Sequence, residues 1–124
     1  MIEKYNKEDF DSICEWYDAR GVECPKAHQL PSIGYIVPGV AAGFLYKTDS
    51  TICLIEGLIS NPDAPTFKRS EAIDLVIAEI LKEAERLGFD KIFGFTSYES
   101  VVTRVVRHGF MRDGIWHLVY KEIN

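Results

Sequence analysis

The sequence predicts an α+β fold in which three helices flank a mostly antiparallel sheet. Two stretches carry that prediction. In residues 33–60, three runs rich in Ile, Val, Leu and aromatic residues are separated by Pro38-Gly39 and by Thr48-Asp49-Ser50, the pattern of an antiparallel meander. In residues 68–110 the chain reads as helix, strand, helix. Length sets the scale: 124 residues make one domain, large enough to bury a core and too small for two.

Taken in order, residues 2–5 are expected to form a short edge strand. Asn6, with Asp9 three positions on, resembles a capping arrangement. It opens a helix whose apolar stripe is Phe10, Ile13, Cys14 and Tyr17, and Gly21 ends it. Periodicity is lost over residues 22–31, where Cys24, Pro25, His28 and Pro31 mark an ordered, irregular loop. Cys24 and His28 alone fall short of the three or four ligands of a zinc site, so no metal is expected there.

The meander is expected at residues 33–37, 40–47 and 51–60. Strict alternation in its third strand puts Ile52, Leu54, Glu56 and Leu58 on one face and Cys53, Ile55 and Ile59 on the other. Glu56 is thus a carboxylate among apolar neighbours in a central strand. Residues 61–67 hold two prolines and can only connect.

In the long helix that follows, Ser70 is the expected N-cap. Ile73, Val76, Ile77, Ile80, Leu81, Ala84 and Leu87 recur at the spacing that lays an apolar stripe against a sheet. Asp74, Glu79, Lys82, Glu83, Glu85 and Arg86 take the other side, with Glu79/Lys82 and Glu83/Arg86 placed to pair. Gly88 tolerates the positive φ that stops the helix. A strand at residues 91–96 and a helix capped by Ser97 and ended at Gly109 come next. His108 is placed to meet that helix's last carbonyls. Residues 115–123, which include His117, alternate weakly and are expected to close the sheet as a last strand. Phe93, Phe95, Tyr98 and Trp116 are expected in the core.

Composition narrows the functional classes. An apolar fraction of 47% with 27% charged residues suits an ordinary soluble domain. With 19 acidic against 14 basic residues the net charge is −5, and no Lys/Arg-rich run exists, so a nucleic-acid partner has no electrostatic support. No apolar segment approaches the roughly 20 residues of a membrane span. The polar, acidic N-terminus is no secretory signal. Three cysteines without a paired-thiol motif suit a reducing compartment, so the cytoplasm is the expected location.

The phrases AEILKEAERLGFDKIFGFTS and VVRHGF, the latter at residues 105–110, resemble the C-terminal half of the GNAT superfamily of acyl-CoA-dependent N-acyltransferases. Ser60-Asn61-Pro62 after the meander is similar to a phrase in short phage-encoded members. The resemblance covers most of residues 30–122. It implies a GNAT-like domain over residues 1–124, acetyl-CoA as acyl donor and a small-molecule or peptide amine as acceptor. It also implies that Leu58 and Ser60 offer main chain to the donor, and that the coenzyme diphosphate sits at Lys68, Arg69, Ser70, Glu71, Ala72 and Ile73. The family's loop there reads Arg/Gln-x-x-Gly-x-Gly/Ala, whose glycines let N–H groups approach a diphosphate at a helix N-terminus. Neither glycine is present here. Val105 stands where many members carry a tyrosine acid, and Tyr98 where an Asn is common. Glu56 matches the position at which some members keep a general base. It is the one catalytic residue the resemblance implies.

Two further readings stand beside the enzyme. One is a catalytically inactive module of the same fold that holds a protein partner; the other is a binder of a different small ligand in the same cleft. Exposed edge strands leave dimerisation by strand addition open.

Overall fold

The structure is a computed structural model and describes residues 1–123. Its elements are β1 (Glu3–Lys4), a 3-10 turn (Lys7–Asp9), α1 (Phe10–Ala19), a second 3-10 turn (Ala27–Gln29), β2 (Gly34–Val37), β3 (Ala41–Lys47), β4 (Ile52–Ser60), α2 (Thr66–Arg86), β5 (Lys91–Phe93) and α3 (Glu99–Arg107). The five strands lie in the order β1-β2-β3-β4-β5. The first four pair antiparallel, and β5 lies parallel to β4 because a whole helix carries the chain between them.

Two apolar layers hold this sheet. Val76, Ile77, Ile80 and Ala84 of α2 pack on Tyr35, Leu45, Cys53 and Ile55. On the opposite face, Ile13 and Trp16 of α1 pack on Ile36, Ala42, Phe44 and Ile59. The α2 stripe is the expected one, with Ala72 added to its buried set and Leu87 left 37% exposed at its end. Glu79–Lys82 and Glu83–Arg86 pair as their spacing requires, at 3.3 and 2.7 Å. Asn6 and Asp9 form their reciprocal cap on the 3-10 turn that leads into α1. Gly88 and Gly109 end α2 and α3 with φ of +86° and +94°.

Several expectations need correction. Trp16, not Cys14 or Tyr17, joins Ile13 as the buried anchor of α1. Cys14 is bonded to Cys24, a pairing that the absence of a paired-thiol motif did not lead one to expect. Sequence spacing gives no view of this pair, because it is the turn at the end of α1 that brings the two Cα atoms within 5.4 Å.

Strict alternation in β4 also fails. Phe44 lies opposite Glu56 and Ala42 opposite Ile59, so β4 carries one residue more than β3 between these pairs. Gly57 takes that extra place with φ +70°, a conformation side chains with a Cβ rarely adopt. The bulge turns Leu58 to the α2 face with Cys53 and Ile55, and sends Ile59 to the α1 face.

α2 starts at Thr66, a turn before the expected cap, so Ser70 lies inside the helix. The segment 91–96 is a strand only through Phe93, and α3 opens after Tyr98, with no side-chain cap from Ser97. Residues 111–123 contain neither helix nor strand. The last strand, with His117 in it, is therefore not formed. Phe93, Phe95, Tyr98 and Trp116 are 39, 53, 62 and 69% exposed and are not core. With only three residues in β5, the sheet offers a short edge for any further strand.

Candidate active site

The parallel pairing of β4 and β5 covers only Ile52–Lys91, Cys53–Ile92 and Leu54–Phe93. Past Leu54 the strands part, and no strand takes the freed side of β4. Glu56 sits at that parting. The backbone N–H of Phe95, just beyond the end of β5, donates to Glu56 Oε1 at 3.2 Å, so the carboxylate bridges the gap that main-chain pairing has left. Burial pushes the Glu56 carboxyl above its ordinary range, and the Phe95 N–H bond opposes this by favouring the charged form.

Two tyrosines share the neighbourhood. Tyr46 of β3 stands on the same face as Phe44, diagonal to Glu56 across the strand pair. Tyr17 of α1 brings its hydroxyl to 3.7 Å from where a Cβ on Gly57 would lie. Both pack against the α1-side core. Burial, with Tyr46 and Glu56 nearby, pushes the Tyr17 phenol up to about 12, so it is a neutral hydrogen-bonding group at physiological pH. Burial raises Tyr46 too, Glu56 adding to the effect. Sequence reasoning placed Tyr17 in an apolar stripe and passed over Tyr46. The available signal was Tyr46 itself, two positions from Phe44 on one strand face and paired with the strand that carries Glu56.

The far end of β4 is pinned to α1. Arg20 donates through Nε to the Ser60 carbonyl at 2.9 Å and through Nη2 to Ser60 Oγ at 2.7 Å. Asn61 continues the anchoring, its N–H donating to the Val40 carbonyl and its side-chain amide to the Gly39 carbonyl. These bonds fix the loop that enters α2.

The six residues expected to cradle a diphosphate are spread round the first turns of α2 rather than gathered at its mouth. Lys68 and Glu71 are exposed, Ala72 is buried, and Ile73 packs against the α2-side core. The Ser70 carbonyl accepts from Arg104 Nη1 at 3.2 Å. Arg69 folds back over the helix start, donating from Nε to the Ala64 carbonyl and from Nη2 to Thr66 Oγ1, each at 3.0 Å. Because the helix begins earlier than expected, the N–H groups of residues 70–73 belong to its interior. Lys68 and Arg69 N–H both donate to the Pro65 carbonyl. Thr66 and Phe67 remain as the main-chain donors of the helix mouth.

Asp74, expected only on the polar side of α2, faces α3. It accepts from Arg104 at 3.1 Å and pairs with His108 Nε2 at 3.0 Å, so α3 is latched to α2 through one carboxylate. His108 thus meets a side chain rather than the carbonyls of its own helix. Burial opposes the charged form of Asp74, but bonds from His108 and Arg104 hold its carboxyl below the ordinary aspartate range.

The layered sheet, whose central strands part at the half-buried Glu56, is also found in solved acetyltransferase structures. Among those that share this fold are the following. Rv2747 from Mycobacterium tuberculosis, in complex with CoA and NLQ, superposes with a TM-score of 0.75 at 16% identity over 92% of this chain and 73% of that one. Glucosamine-6-phosphate N-acetyltransferase from Arabidopsis thaliana gives 0.71 at 15% identity, covering 98% of both chains. A Trypanosoma brucei acetyltransferase gives 0.71 at 14%, covering 98% of this chain and 99% of that one. The fold is the GNAT fold, as the resemblance implied. No family model matches the chain, and no curated protein matches its sequence.

Proposed function

We propose that this chain is a GNAT-type N-acyltransferase that uses acetyl-CoA to acylate an amine, with Glu56 as general base. One observation carries the reading: a half-buried carboxylate with a raised pKa stands where β4 and β5 part, in a fold shared with acetyltransferases. A carboxylate whose charged form is disfavoured is a stronger base once ionised. Glu56 would take a proton from the acceptor nitrogen as that nitrogen adds to the acyl carbon; the thioester C–S bond would then break, coenzyme A leaving as a thiolate that takes a proton back from Glu56 directly or through water, so that the base is restored. The Phe95 N–H releases or keeps its bond to Glu56 as the charge on the carboxylate changes. Tyr17 and Tyr46, both neutral, bound the acceptor's side of the carboxylate. Acetyl-CoA, when bound, supplies the acyl group as a thioester. The backbone N–H groups of Leu58 and Ser60, past the parting, would be the donors to that group, the Ser60 carbonyl being held by Arg20. Thr66, Phe67 and the exposed Lys68 are the donors left at the helix mouth for its diphosphate, with Arg69, Ser70, Glu71, Ala72 and Ile73 behind them in the first turns.

One observation favours the alternative of an inactive module that binds a protein or another ligand. The loop entering the helix has no glycine, so side chains crowd the helix start where a diphosphate would want bare N–H groups. Acetyl-CoA distinguishes the two. At about a hundredfold over its dissociation constant it should stabilise the fold by roughly 2.7 kcal/mol, a melting shift of several degrees. No shift at millimolar coenzyme ends the enzyme reading in favour of the module.

A further inference from the structure

We propose that the Cys14–Cys24 pair is a reversible thiol–disulfide site, and that its state sets how firmly Tyr17 and Arg20 are held against β4. The ring that the bond closes contains both residues through which α1 reaches the candidate site. Tyr17 brings its hydroxyl to Gly57, and Arg20 grips Ser60 at the far end of the same strand. Opening the ring acts on both at once.

What else holds this end of α1 is thin. The helix has ten residues, too few to be stable alone, and its buried anchors, Ile13 and Trp16, lie before its end. The backbone N–H groups of Arg20 and Val22 donate to the Tyr17 carbonyl and that of Gly21 to the Asp18 carbonyl, each at 3.0 Å, so they tie the turn only to the helix it leaves. Among the described residues, every hydrogen bond of residues 23–30 stays within that stretch, between Lys26 and Gln29 and between Ala27 and Leu30. Leu30 packs on the α1-side core, but it is Cys24 that fastens the middle of the loop to the helix.

Both cysteines are half-buried and neither belongs to a core layer, so a reductant can reach the bond and the sheet does not depend on it. A bond across so short a ring, with a sequence separation of 10, also stabilises the folded chain less than one across a long loop. Cys53 is buried and takes no part. A dithiol reductant opens the bond in two exchanges. One of its thiolates attacks the sulfur of one cysteine, the other cysteine leaving as a thiolate; its second thiol then displaces the first from the mixed disulfide. Two electrons and two protons pass to Cys14 and Cys24, and the reductant leaves as a disulfide. An oxidised dithiol runs both exchanges backward. Loosening Tyr17 changes the acceptor side of Glu56, a consequence that rests on the acyltransferase reading. Neither thiol labelling nor amide exchange needs turnover, so failure of that reading and failure of the switch are separate results.

Dithiothreitol and its oxidised form, applied in turn to the whole folded chain, test the site. N-ethylmaleimide should leave the oxidised protein unlabelled and should label Cys14 and Cys24 in the reduced one, with Cys53 shielded by burial. Far-ultraviolet circular dichroism should be the same in both states. Amide exchange at Arg20, Gly21 and Val22 should quicken about tenfold on reduction and slow again on reoxidation. Cys14→Ser and Cys24→Ser should each show the fast rate with or without reductant. A folded protein that resists the dithiol, or one that still labels at Cys14 and Cys24 after oxidation, overturns the proposal. Reduction that unfolds the chain overturns it too, since the bond would then be purely structural, as does exchange at those three amides that ignores the state of the pair.

Discussion

Glu56 is the residue at which stability and the proposed chemistry pull apart. Its carboxyl is raised in the folded state, so its contribution is fully favourable below the unfolded pKa and is lost as pH rises through the folded value. Above the folded value the ionised side chain therefore costs the fold something. Glu56→Gln should keep an oxygen for the Phe95 N–H, abolish turnover, leave coenzyme binding in place and raise stability by less than about 1 kcal/mol. Turnover assays alongside thermal melts check all three, and undiminished turnover removes Glu56 from the mechanism. Tyr17 behaves in the same sense at the alkaline end. Its phenol is pushed up to about 12 against an ordinary 10, so wild type should lose stability between these values as the unfolded state ionises first. Denaturant melts across that window should show a shallower decline for Tyr17→Phe, by about 2 kcal/mol at most.

At the scale of elements, one inserted residue and one latch decide the geometry. Gly57 lets β4 bulge, which divides Leu58 from Ile59 and presents Glu56 beside Tyr17 and Tyr46. Gly57→Ala would force a Cβ into a positive-φ position and to 3.0 Å from Phe44 Cδ2. A loss of about 1–3 kcal/mol is expected, read from urea melts. The latch is Asp74 with Arg104 and His108. A depressed carboxyl contributes stability above its unfolded pKa, here an ordinary 3.8, and loses it as pH falls through the folded value. Asp74→Asn should thus destabilise at pH 7 by up to about 1 kcal/mol, since the carboxylate is 42% exposed, and the difference from wild type should vanish at strongly acidic pH. Acid titrations of both proteins, followed by far-ultraviolet circular dichroism, check the sign.

For the whole molecule, burial is concentrated where β3, β4 and α2 meet, with α1 closing the other face. Slowest amide exchange is expected in β3, in the first half of β4 and around Val76 to Ile80, because these carry fully buried side chains on both sides of the sheet. β5, joined through three residue pairs, should exchange faster unless a further strand covers it. Equal rates in β5 and β3 would contradict that ordering of stability. Such a gradient leaves the parting of β4 and β5 at the boundary between a rigid centre and a lightly held edge, where an acyl donor could be admitted without disturbing the core.

Periodicity along the chain was enough to read the order of elements, the α2 stripe, its ion pairs, the turns of the meander and the unusual setting of Glu56, because each depends on residues within a turn or two of one another. Resemblance added the GNAT-like plan. Neither could supply what long-range contact decides. The bulge at Gly57 reverses face assignments that a period of two makes certain, the Cys14–Cys24 bond depends on how the chain returns after α1, and Asp74 finds its partners 30 and 34 residues away. The cluster of Tyr17, Tyr46 and Glu56 joins three separate elements. Local pattern fixes which face of an element is apolar; only packing fixes which faces meet, and a single extra residue in a strand is enough to change the answer.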